Sequence, residues 1–181
     1  MSKKYSLLKN IPDKNSRLIA VRINMTGPNE DDNHLLELAA IEIEKGLFTG
    51  KQFHIFIKPR REIKPELAIY HKITLKYFEE NYEEYYKDAK MNMKKFSEFI
   101  GDALVFTFNN FPDMQFINYE LKFWGIPQIS NKKQRCLKLI FQDLFQKNEK
   151  FNNEIGTMSF KDILAFCRIK TLSGKGLGSA F

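Results

Sequence analysis

Leu18 to Asn24 reads Leu-Ile-Ala-Val-Arg-Ile-Asn, apolar but for one arginine and the closing asparagine, and it stops at Thr26-Gly27-Pro28. A short apolar run closed by a turn is a buried strand. A buried strand commits the chain to a sheet with other layers packed on it. The following segments extend that sheet. Leu35 to Glu44 alternates over its second half, with Ile41 and Ile43 set against Glu42 and Glu44, as a half-exposed strand does. Lys45-Gly46 and Thr49-Gly50 bracket a short turn, and Gln52 to Ile57 follows as a third strand. Three strands in this order with short connections predict an antiparallel meander. Residues 1–16, with Pro12 and Asp13, read as a polar lead-in, and 17–181 as a single domain with one core.

After the meander the period changes from strand to helix. Lys58 to Pro65 carries two prolines and reads as a loop. Helical spacing begins near Thr74, and Phe96, Phe99 and Ile100 form one stripe that Gly101-Asp102 ends. Ala103 to Phe108 is a further apolar strand. Asn109-Asn110-Phe111-Pro112 is a turn with proline placed to open a helix whose apolar face is Met114, Ile117, Leu121 and Trp124. Gly125-Ile126-Pro127 stops it. Leu137, Ile140, Phe141, Leu144 and Phe145 mark another helix, and Ser159 with Asp162 forms a capping box before Phe160, Ile163, Leu164 and Cys167. The layout is α/β, a mixed central sheet with three antiparallel strands first, flanked by helices. Chemistry in such sheets collects at strand ends, here at Arg22 to Gly27 and Asn109 to Asp113.

Charge and cysteine content narrow the function classes. Lys and Arg number 29 against 22 Asp and Glu, a net charge of +7 that suits a polyanion or an acidic partner. Cys136 and Cys167, on helix-like stretches with no Cys/His cluster beside them, read as reduced, buried thiols of an intracellular protein. With neither an apolar leader core nor a run near the roughly 18 apolar residues of a membrane span, the expected location is cytoplasmic, with no membrane partner.

Four stretches carry a family pattern. They are Leu36-Glu37-Leu38-Ala39-Ala40-Ile41-Glu42-Ile43, then Gly50-Lys51-Gln52-Phe53-His54-Ile55-Phe56-Ile57-Lys58-Pro59, then Tyr70-His71-Lys72-Ile73-Thr74, and finally Phe108-Asn109-Asn110-Phe111-Pro112-Asp113 running into Phe116-Ile117-Asn118-Tyr119-Glu120-Leu121. In order and spacing the series resembles the DnaQ-like 3′–5′ exonucleases, the proofreading family typified by the epsilon subunit of bacterial DNA polymerase III. The resemblance covers Leu18 to about Leu172. It implies a ribonuclease H-like fold and a site where four carboxylates hold two divalent ions that activate a water, with a His or Tyr taking its proton.

The same resemblance implies that this site is degenerate. The first-motif Asp falls on Arg22 and the first-motif Glu on Asn24, with Thr26-Gly27 retained behind them. The second-motif His falls on Phe108 and its Asp on Asp113. The third motif places its His on Ser173 and its Asp on Gly178, and the family's closing C-terminal helix is missing after it. One carboxylate of four remains, and a guanidinium, which repels cations, stands where a metal ligand belongs. No metal ligand set and no cofactor are therefore expected. Magnesium or manganese enters only if displaced ligands do the work.

Each position also carries a plainer meaning. Arg22 and Asp113, brought together by the family geometry, are expected to close a relict pocket as a salt bridge; the sharper alternative is that Arg22 contacts a phosphate. Asp113 also suits the first turn of a helix. Glu37 and Glu42, five apart on one strand, face opposite sides and cannot both serve the site. His54 and His71 read as structural and His34 as exposed. Arg60 and Arg61, in the basic loop Lys58 to Lys64, join Arg22, Thr26 and Asn109 as candidates for nucleic-acid contact, with Lys132 to Arg135 a second basic stretch. Gly174-Lys175-Gly176 lacks the spacing and the preceding strand of a phosphate loop. The leading expectation is a catalytically inactive exonuclease-fold protein acting as a nucleic-acid-binding or protein-interaction subunit, its partner single-stranded DNA or RNA or another protein. The alternatives are an active metal-dependent 3′–5′ exonuclease with displaced ligands and a structural scaffold or homo-oligomer.

Overall fold

The computed structural model describes residues 15–27, 34–57, 63, 65, 76, 80 and 89–145. Among them are β1 Arg17–Met25, β2 Leu35–Glu44, β3 Leu47–Phe56, α1 Ala89–Ile100, β4 Leu104–Thr107, α2 Asn110–Phe123, β5 Gln134–Cys136 and α3 Leu137–Phe145. The strands form one sheet in the order β3-β2-β1-β4-β5. The first three pair antiparallel as the meander requires. β4 then joins β1 in parallel, and β5 joins β4 in parallel. A parallel neighbour needs a crossover, and α1 lies on that connection.

β1 divides its side chains between two faces. Ile19, Val21 and Ile23 enter the core, where the register sets Leu38 and Ile55 in line with Ile23 and Ala40 and Phe53 in line with Val21. Met93, Phe96 and Ile100 of α1 and Met114, Ile117 and Leu121 of α2 belong to the same cluster. Phe53 lies between Phe96 and Phe99, at ring-centre distances of 5.7 and 5.6 Å. Each such side chain contributes about 1.5–3 kcal/mol when fully buried, so this face holds the helices on the sheet. Ala20, Arg22 and Asn24 face the other way.

One polar cluster belongs to the core face. Arg17 Nε meets Glu42 Oε2 at 2.5 Å, while its two outer nitrogens donate to Ile100 O and Phe99 O, each at 2.7 Å. The guanidinium thus satisfies carbonyls left open at the C-terminus of α1. Glu42, 0 % exposed, also accepts from Lys51 Nζ at 2.9 Å and Thr49 Oγ1 at 3.1 Å. Lys51 first, and Arg17 and Thr49 with it, hold its carboxyl down to about 2 against the opposing pull of burial.

The differences from expectation are local. β3 begins at Leu47, five residues before Gln52. The turn before it is only Lys45-Gly46, with φ of 52° and 77°, the pair of left-handed residues that a tight two-residue hairpin uses. Thr49-Gly50 is a bulge rather than a turn: β3 advances from Phe48 to Gln52 while β2 advances from Ile43 to Ile41, and Gly50 takes φ 86°. The bulge carries Thr49 and Lys51 onto Glu42. β5 is a strand where Lys132 to Arg135 reads as loop; three polar residues show no alternation, and the pairing of Val105 with Gln134 and of Thr107 with Cys136 alone makes them extended. Cys136 therefore ends a strand, half-buried, with Sγ 3.6 Å from Phe108 O. α2 opens at Asn110, leaving Pro112 in its first turn, where a missing N–H costs nothing. Gly125, at φ 70°, closes α2: its N–H donates to Lys122 O and that of Ile126 to Leu121 O, a Schellman cap.

The helix start near Thr74, the capping box at Ser159, Cys167, the lead-in and the closing helix lie outside the described residues. Among those described, no helix is long and apolar enough to cross a membrane.

Candidate functional site

Parallel pairing of β1 and β4 brings the two expected strand ends together. Leu18, Ile19 and Ala20 lie beside Leu104, Val105 and Phe106, so both strands run out toward the same edge. Arg22 and Asn24 stand at the end of β1. Asn109 and Asp113 stand where β4 turns into α2.

Asn24 is 2 % exposed, and its amide donates to Glu37 Oε2 at 2.5 Å. The register explains the meeting, since Asn24 pairs with Glu37 and paired residues share a face. Glu37 is 0 % exposed, and its other oxygen takes His54 Nε2 at 2.8 Å. Both carboxylate oxygens thus have partners within the sheet. Glu37 does lie on the face of Arg22 and Asn24, whereas Glu42 lies on the core face with Arg17, as five-residue spacing requires. His54 is structural in part, as expected, but Glu37 is its partner and its side chain stays 30 % exposed.

Arg22 is exposed, and no ion pair within 4.0 Å joins it to Asp113, so the expected salt bridge is not formed. The two do sense each other. Burial pushes the Asp113 carboxyl up to about 6 from an ordinary 3.8, while a backbone hydrogen bond from Asn109 and then the charge of Arg22 act in the opposite direction. The contact to Asn109 resembles the returning arm of a capping box, so the first-turn reading of Asp113 holds. Asn109 is exposed and caps α2 without a side-chain hydrogen bond.

Thr26 is buried, with its Oγ1 accepting the His34 N–H at 2.8 Å. His34 is also buried, 6 % exposed rather than open to solvent, with Nδ1 3.7 Å from Glu120 Oε1. The sequence shows only that His34 begins a strand; Glu120, which approaches its ring, lies on α2, far along the chain. Phe108 is half-buried, and its carbonyl accepts the Lys138 N–H at 3.1 Å. Lys133 Nζ donates to Gly101 O and Arg135 to Lys132 O, so that basic stretch is partly tied to its own backbone. Arg60, Arg61, Ser173 and Gly178 lie outside the described residues.

Two divalent ions do not fit this donor set. At β1 the side chains are a guanidinium and an amide committed to Glu37, and Asp113 is a single half-buried carboxyl. Among the described residues, no three His, Cys, Asp or Glu side chains are grouped to hold a metal ion.

A family model described as exonuclease, RNase_T, matches residues 23–171, well over half of the chain. The chain belongs to the RNase_T exonuclease family. It is 34% identical over 98 residues to a DNA polymerase III subunit epsilon of Buchnera aphidicola subsp. Schizaphis graminum, which spans 54% of this chain and 40% of that protein. The epsilon subunit of Rickettsia prowazekii is 31% identical over 109 residues, 58% of this chain and 44% of its own length. The chain thus spans less than half the length of these curated relatives. Among solved structures, exonuclease I superposes with a TM-score of 0.72 at 11% identity over 86% of this chain and 36% of that one. A complex of E. coli exonuclease I with a dT13 oligonucleotide superposes with a TM-score of 0.63 at 12% identity, over 72% of this chain and 30% of that one. At such identities the likeness is one of fold. The DnaQ-like, ribonuclease H-like architecture and the mixed five-stranded sheet are thereby established for this member of the family.

Proposed function

We propose that this RNase_T-family chain is catalytically inactive and works by binding, with single-stranded nucleic acid as its ligand. The observation that carries the reading is the Asn24–Glu37–His54 chain beside an exposed Arg22. Metal-assisted hydrolysis needs acidic oxygens aimed at the reacting phosphate. At the first motif this chain offers a cation and a buried amide instead. The one carboxylate on the same face, Glu37, has each oxygen engaged. A displaced-ligand enzyme would have to break both contacts of a buried carboxylate, which argues against that alternative. The net charge of +7 and the exposed Arg22 and Asn109 at the strand ends favour a polyanion. That a structural neighbour, exonuclease I, is seen with a single-stranded oligonucleotide supports the choice of ligand.

The test is calorimetry with magnesium and manganese, followed by incubation with labelled single-stranded DNA and RNA. Absence of metal heat and of shortening, together with retained binding of the strands, is the expected result. Metal binding accompanied by stepwise shortening from the 3′ end overturns it.

A second reading, a protein-interaction subunit, draws on Leu47 and Phe48, 72 % and 54 % exposed at the start of the edge strand β3. Sedimentation of the protein across a concentration series, alone and after Phe48→Ser, checks whether that edge joins chains.

A further inference from the structure

Three strands place a short row of residues across the face of the sheet opposite Ile19, Val21 and Ile23. Arg22 of β1 pairs with Ala39 of β2, and Ala39 pairs with His54 of β3. Paired residues share a face, and neighbouring strands lie about 4.8 Å apart. Arg22 and His54 are thus about 10 Å apart at the backbone, with only the methyl group of a buried alanine between them. Two nitrogen-bearing side chains, Arg22 exposed and His54 30 % exposed, flank that buried alanine.

The two ends of the row are prepared differently. Glu37 fixes the His54 ring through Nε2, and that ring meets Phe56 in an edge-type contact with ring centres 4.8 Å apart. Orientation by a buried carboxylate leaves Nδ1 as the nitrogen still open to a ligand. Arg22 has neither an ion pair nor a hydrogen bond among the described residues, although an acidic carboxyl stands near it. That carboxyl is Asp113, which makes no ion pair with the guanidinium within 4.0 Å.

We propose that Arg22, with His54 across Ala39, forms a metal-independent phosphate subsite, in which the guanidinium supplies the positive charge that divalent ions cannot supply here. The ligand class is the phosphodiester backbone of single-stranded nucleic acid, contacted in bidentate fashion by Arg22 and, when the ring is doubly protonated, by the His54 Nδ1–H, since Nε2–H is given to Glu37. Glu37 is a positioning residue that acts through His54 and Asn24. No bond is made or broken. The inference rests on the nucleic-acid-binding reading above and adds the contacting residues and the independence from metal.

The experiment is fluorescence anisotropy of the full chain with a labelled thymidine oligonucleotide over a range of salt, once with EDTA and once with magnesium. Arg22→Ala, Arg22→Lys and His54→Gln are compared with Lys94→Ala, an exposed lysine on α1 across the sheet. The expected pattern is equal affinity with EDTA and with magnesium. Arg22→Ala weakens binding about tenfold and lowers the salt slope by about 0.7, one phosphate contact on a single strand. Arg22→Lys keeps the slope while losing part of the affinity, His54→Gln loses about threefold, and Lys94→Ala changes neither quantity, all on the same phosphate-contact scale. If the wild-type chain binds no oligonucleotide, the broader nucleic-acid reading fails. If it binds but Arg22→Ala matches Lys94→Ala, or if affinity requires magnesium, the subsite alone is overturned. Circular dichroism of each variant confirms that the exposed substitutions leave the fold intact.

Discussion

β1 carries two arginines five residues apart, Arg17 and Arg22, on opposite faces of the sheet, and the structure treats them in opposite ways. Arg17 is fully engaged: one carboxylate and two helix-terminal carbonyls accept from it, and Glu42 collects two further partners from the β3 bulge. Arg22 is exposed, and the nearby Asp113 is half-buried, with its carboxyl pushed up by that burial. At the first corner the protein holds a carboxyl well below its ordinary range; at the second it lets one rise well above. The same residue type closes a packing joint in one place and leaves a charge available in the other. Placement on the strand decides which, because odd positions face the helices that need a cap and even positions face the strand-end site.

The contrast is broken most severely at Arg17. Arg17→Ala strips the cap from the end of α1 and leaves Glu42 buried without its strongest geometric partner. Removing one member of a buried pair costs about 3–5 kcal/mol. The expected loss lies at the lower end, about 3 kcal/mol, because Lys51 and Thr49 remain. Urea denaturation measures it, and a loss below about 1 kcal/mol, the size of an exposed pair, refutes the joint. The acid limb tests the same place. Glu42 has a folded value near 2 against an ordinary 4.5, so its stabilisation is complete above the ordinary value and is lost as pH falls from there toward the folded one. Arg17→Ala should flatten that limb.

Asp113 gives the reverse sign. Its folded value near 6 exceeds the ordinary 3.8, so the folded state prefers the protonated form. The penalty is present above about pH 6 and is relieved as pH falls through 6 toward 3.8. Asp113→Asn retains an oxygen for the Asn109 N–H and removes the charge. It should stabilise the protein by about 1–3 kcal/mol at pH 7.5, with little gain left at pH 4. Thermal melts at several pH values separate this from a general effect; equal gains at all pH values would mean that burial of the charge is not the cause.

How much of this the sequence disclosed differs between the two corners. The strand-end site was legible because its parts are local: the run ending at Arg22 and Asn24 and the turn leading to Asp113 are contiguous stretches, the second matching a family pattern whose spacing places the first. The opposite facing of Glu37 and Glu42 followed from strand period alone. The Arg17–Glu42 joint was not legible, since it depends on a hairpin register and on a bulge at Gly50, and the sequence shows Thr49-Gly50 equally well as a turn. β5 was missed for a similar reason, because Gln134, Arg135 and Cys136 carry no alternation and are extended only through β4. His34 was misplaced because α2, whose Glu120 approaches its ring, lies far along the chain. The salt bridge expected between Arg22 and Asp113 failed on direction: proximity follows from topology, but contact depends on where two side chains turn.

The smallest effect expected is the most pointed. Were Arg22 and Asp113 a buried pair, Arg22→Ala would leave an uncompensated carboxylate and cost several kcal/mol. With Arg22 exposed and unpaired among the described residues, the change removes only a distant attraction, the least of the influences acting on Asp113. The loss should stay within about 0.5 kcal/mol at pH 7.5, the range of surface substitutions. What remains of it should fade as pH falls through about 6 toward 4, as Asp113 takes up its proton and leaves Arg22 no charge to attract. A double substitution with Asp113→Asn completes the cycle: coupling near zero keeps Arg22 free for an external anion, whereas coupling above about 1 kcal/mol means that Asp113 already occupies it.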